Sequence, residues 1–234
     1  ESGAYELLIE GDDGYRVYVN GEKVIDYWGE HASAKREYTL KAIAGTDYKI
    51  RIEYMQAGAE ALLRFDLGVY RHISPEMVVD RVKEADIVIF AGGISPSLEG
   101  EEMYSVNSPG FAGGDRTSIE LPQVQRDILK ALKKAGKKVV FVNCSGSAVA
   151  LVPEMESCDA ILQAWYPGQA GGLAVADVLF GDFNPSGKLP VTFYKNTDQL
   201  PDFEDYSMKN RTYRYMAEVP LFPFGYGLSY TTFD

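Results

Sequence analysis

The sequence predicts two units in succession: a β-sandwich over residues 1–72, then an α/β domain over residues 75–234. The α/β domain is predicted to have an open, mostly parallel sheet with helices on both faces. Two observations lead to this fold class. Short runs that alternate between apolar and polar residues fill the first unit, as in half-buried antiparallel strands. Continuous apolar runs separated by amphipathic stretches fill the second, as in parallel strands joined by helices.

The first unit consists of short segments that are rich in Tyr, Val and Ile. In chain order they read AYELLIEG, YRVYVNG, EKVIDYWG, KREYTLKA, YKIRIEYMQ and ALLRFDLGVY. Turn signals separate them, above all at Asp12–Gly14 and at Asn20 and Gly21, because Gly, Asn and Asp tolerate positive φ. Short strands at such even spacing predict a β-sandwich or a barrel.

The second unit alternates between helices and strands. SPEMVVDRVKEA predicts a helix capped by Ser74, and ELPQVQRDILKALKKAG predicts an amphipathic helix that ends at Gly136. A further helix is predicted at GGLAVADVLFG, ending at Gly181. Strands are predicted at ADIVIFAGG, KKVVFVNCSG and CDAILQAWYPG. After Asp182, recurrent Pro and Gly predict loops.

Composition argues against several classes of function. The 234 residues carry a formal net charge of −11, which disfavours nucleic-acid binding through a basic face. No apolar run approaches the roughly 20 residues of a membrane-spanning helix, and no signal peptide opens the sequence. The sequence starts without Met and runs directly into a strand pattern, so we expect a piece of a longer polypeptide.

The cysteines and histidines do not form a catalytic or metal-binding motif. Cys144 and Cys158 are too few for a disulfide framework and lack metal-binding spacing, and Cys144 is expected to be a buried free thiol. His31 and His72 both lie outside the second half, so a Ser-His-Asp or Cys-His triad is not expected. The sequence therefore predicts no cofactor and no metal.

A long loop rich in Gly and Ser is the strongest functional signal. It spans Gly92–Pro122 and reads GGISPSLEGEEMYSVNSPGFAGGDRTSIELP, directly after an apolar strand. In open α/β sheets, ligands bind outside the carboxyl ends of the strands, where the clustered carboxylates Glu99, Glu101 and Glu102 suit proton transfer. A solvated acidic loop is the alternative interpretation. The opening Gly-Gly pair lacks a third glycine and a following helix, so nucleotide binding is a weak alternative.

Three long motifs resemble the second catalytic domain of glycoside hydrolase family 3, the β-glucosidase and β-xylosidase family. They are the loop just described, the string WYPGQAGGLAVADVLFGDFNPSGKLPVTF and the closing FPFGYGLSYTTF. The resemblance covers about residues 85–234. It implies that the second unit is the α/β sandwich domain of this family.

The first unit resembles a different family, the β-sandwich module named after the anthrax protective antigen. The resemblance rests on GDDGYRVYVNGEKVIDYWGEH and KREYTLKAIAGTDYKIRIEYMQ. Some family 3 enzymes carry such a carbohydrate-binding-like module inserted in the second catalytic domain. In related modules paired Asp residues hold calcium, which suggests Asp12 and Asp13. The favoured interpretation is a simple turn, because calcium needs six to eight oxygen ligands and no other acidic cluster is evident nearby.

The family resemblance also implies a mechanism and its residues. Retaining glycosidases use a nucleophile and an acid/base carboxyl group about 5–5.5 Å apart. In this family the nucleophile is an Asp on an N-terminal (β/α)₈ barrel, and the acid/base is a Glu on the long loop. The motif assigns the acid/base role to Glu101, with Glu99 as the runner-up and Glu102 third. Asp115 and Arg116 are expected to pair and to support the loop.

The predicted function is therefore part of a retaining, exo-acting β-glycosidase of the β-glucosidase or β-xylosidase type. Its partners would be an oligosaccharide or β-glycoside substrate and the N-terminal (β/α)₈ barrel, with no nucleic acid and no membrane. Because the barrel that carries the nucleophile is missing, the isolated chain is predicted to be inactive. A non-catalytic carbohydrate-binding protein is the alternative. A periplasmic or secreted location is expected for the parent enzyme.

Overall fold

The computed structural model describes residues 1–58, 61–69, 73–99, 107–113 and 115–232. The chain divides into two compact units, residues 1–72 and residues 73–234. Each unit has a hydrophobic core of its own. In the described part of the chain, no helix has the length and apolar character that crossing a membrane requires.

The described residues of the first unit form six antiparallel strands in two three-stranded sheets. One sheet has the order β4-β1-β6 and the other has the order β3-β2-β5. The strands are β1 (Gly3–Gly11), β2 (Tyr15–Val19), β3 (Glu22–Tyr27), β4 (Ala34–Ala42), β5 (Ile50–Tyr54) and β6 (Leu63–Gly68).

Side chains from both sheets share one core. In β2, Tyr15 and Val17 are fully buried, whereas the alternate residues Arg16 and Tyr18 lie on the partly exposed face. Leu7 of β1 belongs to the opposite sheet and to the same apolar cluster. This period-two alternation is the pattern that the sequence predicts for half-buried strands.

Both predicted turns contain residues with positive φ, and the one at Asp13 is also held by hydrogen bonds to the backbone. Asn20 and Gly21, with φ of 52° and 90°, join β2 to β3 as the sequence predicts. Asp13, with φ of 64°, is buried. Its carboxylate accepts hydrogen bonds from the N–H groups of His31, Ala57 and Gly58 at 3.2, 2.7 and 3.2 Å. These bonds lower the pKa of Asp13, the bond from Ala57 most of all, and they hold three loop segments together.

The second unit is built around a three-stranded parallel sheet of order β12-β11-β7, which confirms the predicted parallel sheet. A small antiparallel sheet of order β10-β9-β8 lies within the long loop. The elements in chain order are α1 (Pro75–Arg81), β7 (Ile87–Gly93), β8 (Asn107–Ser108), β9 (Phe111–Ala112), β10 (Asp115–Arg116), α2 (Gln123–Lys134), β11 (Lys138–Cys144), α3 (Val152–Ser157), β12 (Ala160–Gln163), α4 (Gly171–Phe180), a 3₁₀ turn (Thr197–Gln199) and α5 (Thr212–Tyr215).

The predicted helix ends are confirmed. The Ser74 hydroxyl accepts a hydrogen bond from the Met77 N–H at 3.4 Å and caps α1. Gly136 follows α2 with φ of 75°, and Gly181 ends α4 in the left-handed conformation with φ of 85°. Glycine meets this requirement without the strain that a Cβ atom would cause.

One face of the parallel sheet is packed and the other is partly open. The fully buried Leu129 and Leu132 of α2 pack in one cluster with Phe141 of β11. On the other face, Ile87 and Ile89 of β7 are 56% and 50% exposed. In the described part of the chain this face of β7 is only partly covered, so the expectation of helices on both faces stays a prediction.

Candidate functional site

The long loop leaves the sheet where the carboxyl ends of β7 and β11 meet. Gly93 has φ of 120°, and a Cβ atom there would lie only 1.9 Å from the Cys144 carbonyl oxygen, so no other residue fits. The Gln125 side chain accepts from the Gly93 N–H at 2.8 Å and donates to its carbonyl oxygen at 2.6 Å. The Ile94 N–H donates to the Cys144 carbonyl at 2.8 Å. The start of the loop is thus fixed to the sheet.

A buried polar network supports this edge of the sheet. The Asn143 amide donates to the Gln163 side-chain oxygen at 2.6 Å, and the Gln163 amide donates to the Ser145 hydroxyl at 3.1 Å. The Ser145 hydroxyl in turn donates to the Ser147 carbonyl at 2.9 Å. Asn143 and Ser145 are completely buried. Sequence reasoning missed this network, although Asn and Ser at the end of an apolar strand are a signal for it.

Glu99 lies above that edge with both carboxylate oxygens engaged. Its Oε1 accepts from the Ser147 hydroxyl at 2.8 Å and lies 3.5 Å from Nη1 of Arg116. Its Oε2 accepts from the Tyr166 hydroxyl at 3.1 Å. The side chains of Glu99 and Arg116 are only 16% and 12% exposed, so the ion pair is well shielded from solvent.

Arg116 ties Glu99 to the turn that follows β11. Its Nη1 donates to the Ser147 hydroxyl at 2.8 Å and to the Ala148 carbonyl at 3.1 Å, and its Nε donates to the Ser118 carbonyl at 3.1 Å. Burial lowers the pKa of the Arg116 guanidinium, and the charge of Glu99 opposes that shift.

The expected pair between Asp115 and Arg116 is wrong. The two residues are consecutive in β10, and neighbouring side chains of a strand point to opposite faces. Asp115 is exposed and forms no ion pair with any residue that the structure describes, whereas Arg116 points toward Glu99. Arg116 still supports the loop, but through a carboxylate seventeen positions earlier in the sequence.

Tyr166 comes from the loop after β12 and completes the cluster. Its hydroxyl lies 2.7 Å from the Ile94 carbonyl and 3.1 Å from Glu99, so one proton serves two acceptors. Partial burial and the neighbouring Glu99 raise the pKa of Tyr166. Trp165 precedes it with φ of 56°, an uncommon value for an aromatic residue. A Cβ atom at Gly146 would lie 2.7 Å from the Tyr166 ring, so glycine provides the space that the ring occupies.

Glu120 fastens the far end of the loop. Its carboxylate accepts from the Thr197 N–H at 3.0 Å, from the Thr197 hydroxyl at 2.6 Å and from the Ser118 hydroxyl. Burial alone would raise its pKa, but these hydrogen bonds outweigh burial and lower the pKa of Glu120 to about 2. The segment after β10 is thereby held to the 3₁₀ turn.

The predicted acid/base candidates fall partly outside the described residues. Glu101 and Glu102 lie in residues 100–106, outside the described ranges, and only Glu99 has a described environment.

The expectation that Cys144 is a buried thiol is only partly right, since this free thiol is half-buried, whereas Cys158 is buried. Burial raises the pKa of the Cys158 thiol to about 11. His72 also lies outside the described residues.

An open groove of about 810 Å³ is lined in part by Arg116. One wall is the segment that follows β10, and the other wall is the loop after the 3₁₀ turn. The lining residues are Arg116, Thr117, Ser118, Ile119, Thr197, Leu200, Pro201, Phe203, Tyr206, Met208 and Arg211. Sequence reasoning predicted only loops in this region and did not identify the groove.

Comparison with known families and proteins gives consistent matches. The profile of the glycosyl hydrolase family 3 C-terminal domain matches residues 14–230. A xylan 1,4-beta-xylosidase from Xylanibacter ruminicola is 57% identical over 237 residues, which cover 100% of this chain and 27% of that protein. A periplasmic beta-glucosidase from Salmonella typhimurium is 42% identical over 176 residues, which cover 68% of this chain and 22% of that protein.

Solved structures agree with these matches. The crystal structure of a beta-glucosidase from Kluyveromyces marxianus in complex with glucose aligns with a TM-score of 0.72 and 29% identity. The alignment covers 100% of this chain, and therefore both units, but 30% of that protein. The chain thus spans between about a fifth and a third of the length of these proteins.

Proposed function

This chain belongs to glycosyl hydrolase family 3, whose C-terminal domain it represents, and on that basis we propose that it supplies the acid/base loop of a retaining, exo-acting β-glycosidase. The observation that carries the proposal is the cluster around Glu99. A glutamate of the family-like loop is held by Arg116, Ser147 and Tyr166 at the carboxyl edge of a parallel sheet, where such folds bind ligands.

The reaction would use two carboxyl groups on different parts of the enzyme. A nucleophilic Asp on a (β/α)₈ barrel would attack the sugar and form a covalent glycosyl intermediate. The glutamate of the loop would first protonate the leaving oxygen and then deprotonate the attacking water. The barrel of the parent enzyme is thus the principal partner of this chain.

Glu101 remains our candidate for the acid/base, and Glu99 is the second candidate. Support for this order comes from the contacts of Glu99, whose two oxygens already accept from Ser147 and Tyr166 beside Arg116. A general acid needs an oxygen that is free to reach the leaving group. Glu99 is therefore suited to hold the loop in place two residues before the proposed proton donor. Arg116 is suited to hold Glu99.

Terminal β-xylosides are the favoured substrates, and β-glucosides come second. The relative at 57% identity is named a xylan 1,4-beta-xylosidase, and the one at 42% is named a periplasmic beta-glucosidase. The latter name is also the support for a periplasmic or secreted location of the parent enzyme.

For the first unit we propose a β-sandwich of the protective-antigen type with a carbohydrate-binding-like role, over residues 1–72, ahead of the α/β sandwich domain at 75–234. Its support is the pair of three-stranded antiparallel sheets that share one core. At Asp12 and Asp13 the turn remains favoured over a calcium site, because the Asp13 carboxylate already accepts three backbone hydrogen bonds.

The test compares Glu101→Gln with Glu99→Gln in the complete enzyme. Glutamine keeps the shape of glutamate but cannot act as an acid or base. We expect Glu101→Gln to lower activity on xylobiose by roughly 10²–10⁴-fold, the usual worth of general acid/base assistance. An activated aryl xyloside should still form the intermediate, and azide should restore turnover by giving the glycosyl azide.

Glu99→Gln should retain most activity, because its side-chain oxygen can still accept from Ser147. Asp115→Asn, a change at an exposed carboxylate of the same loop, is the matched control. If Glu99→Gln instead shows the large loss together with rescue by azide, then Glu99 is the acid/base and Glu101 is not.

A further inference from the structure

The loop that forms the outer wall of the groove is firmly held, although it is exposed. The Asp202 carboxylate accepts from the Glu204 N–H at 2.9 Å, and the Asp205 carboxylate accepts from the Ser207 N–H at 2.8 Å. Arg211 donates to the Ser207 carbonyl at 2.8 Å and to the Asp205 carbonyl. The backbone of this segment therefore has little conformational freedom left to lose on binding a ligand.

Two aromatic rings project from this loop into the solvent. Phe203 is 90% exposed and Tyr206 is 88% exposed, and both line the groove. Large aromatic side chains are seldom left this exposed without a partner, because their burial contributes strongly to binding. A flat ring on a fixed backbone is suited to stack on the C–H face of a pyranose ring.

The inner wall connects the groove to the proposed catalytic machinery. Arg116 lines the groove and also holds Glu99, which precedes the proposed proton donor by two positions in the sequence. In a glycosidase, the sugar that departs is bonded to the oxygen that the acid/base protonates. Because Arg116 belongs both to the groove lining and to the Glu99 cluster, a sugar bound in the groove would lie beside that cluster.

From this geometry we infer that the groove binds a sugar ring of the leaving group, with Phe203 and Tyr206 as stacking platforms. The inference rests on the proposed function and adds to it the residues that would select long oligosaccharides over short substrates. Specificity for the leaving group would then reside in the segment 200–211, far in sequence from the acid/base loop.

Kinetics of the complete enzyme test this inference. Xylobiose carries a leaving sugar, whereas xylosyl fluoride carries none. Phe203→Ala and Tyr206→Ala should each lower kcat/KM for xylobiose about tenfold, the equivalent of ~1.4 kcal/mol. Both variants should leave kcat/KM for xylosyl fluoride unchanged. Phe180→Ala is the matched control, because this ring is 78% exposed on α4 and does not line the groove.

A binding measurement separates this inference from the proposed function. Saturation-transfer NMR on the 234-residue chain with xylobiose needs no catalysis. We expect the signal to disappear in the double variant Phe203→Ala, Tyr206→Ala and to persist in Phe180→Ala. Absence of binding by the unmodified chain, together with unchanged xylobiose kinetics in both single variants, would overturn the inference while leaving the proposed function intact.

Equal losses for xylobiose and xylosyl fluoride would also overturn it. That result would indicate that the two rings contact another part of the enzyme or a second copy of the chain. If the complete enzyme cleaves neither substrate while the chain still binds xylobiose through these rings, the proposed function fails and the binding site stands.

Discussion

At the scale of single residues, the site depends on contacts between positions far apart in the sequence. Glu99 meets Ser147 and Tyr166, which follow it by 48 and 67 positions. The sequence shows directly which loop carries the carboxylates. It did not predict the partner of Arg116, because that pairing depends on the alternation of side chains in a two-residue strand that no pattern reveals.

Removal of the Arg116 charge should destabilise the second unit. In Arg116→Met, the shielded Glu99 carboxylate loses its cation, and the carbonyls of Ser118 and Ala148 lose their donor. We expect the free energy of unfolding to fall by about 2–4 kcal/mol. Urea unfolding followed by Trp165 fluorescence, with Trp28 replaced by Phe, measures this change.

The matched control is Lys133→Met in the same unit. Lys133 also pairs with a carboxylate, at 3.8 Å from Asp159, but its side chain is 48% exposed. Solvent screens such pairs, so the control should unfold as the unmodified chain does. If both substitutions lower the free energy of unfolding equally, the shielded Arg116 pair stabilises the fold no more than an exposed pair does.

At the scale of elements, the long strands and helices could be predicted, and the short ones could not. The periodicity of α2 and the apolar runs of β7 and β11 predicted these elements. A periodic pattern of apolar residues cannot be recognised in elements as short as the six-residue α3 and the two-residue strands β8, β9 and β10. Their existence depends on tertiary contacts.

The packing of α2 gives a sharp test at this scale. Leu132 is fully buried against the parallel sheet, whereas Val124 on the same helix is 53% exposed. Leu132→Ala should lower the free energy of unfolding by about 2–5 kcal/mol, because it removes buried methyl groups and leaves a cavity. Val124→Ala should have little effect in the same urea experiment. Similar losses for both would mean that this helix packs through another face.

The tether between Glu120 and the 3₁₀ turn predicts a dependence of stability on pH. The pKa of Glu120 is lowered from 4.5 to about 2 in the folded chain, so the folded state favours the ionised form. This stabilisation is complete above the unfolded pKa and is lost as the pH falls from about 5 toward 2. Because the carboxylate is partly exposed and solvent screens its contacts, the stabilisation at neutral pH is about 1–3 kcal/mol.

Urea unfolding of the unmodified chain and of Glu120→Gln, measured from pH 7 to pH 2, tests this sign. The two proteins should differ most above pH 5 and should converge near pH 2. Glu204→Gln, a change at an exposed carboxylate, serves as the control. A difference that grows as the pH falls would contradict the assignment.

At the scale of the whole molecule, the family could be recognised from the sequence. Three long motifs identified the second unit, and the family profile matches residues 14–230 across both. The groove could not be predicted, because it arises where the segment after β10 meets a loop more than eighty positions later. Glu101 itself lies outside the described residues, so its role stays a prediction.

The purified chain should not hydrolyse aryl β-xylosides or β-glucosides, since the proposed nucleophile lies on the barrel. Release of nitrophenol, followed over hours with and without the separately produced barrel, is the measurement. Turnover should require both parts. Robust turnover by the chain alone, from a preparation shown to be free of barrel, would mean that the nucleophile lies within these 234 residues.

The open side of β7 affects how the chain behaves in concentrated solution. Ile87 and Ile89 are exposed on a strand that, in the described part of the chain, has only β11 as a neighbour. Such an edge can pair with the same edge of another molecule. The net charge of −11 makes the molecules repel each other in dilute buffer. At physiological ionic strength the Debye screening length is only about 8 Å, so this repulsion no longer acts over long distances. Added salt should therefore promote aggregation, and low ionic strength should favour storage of the chain as dispersed monomers.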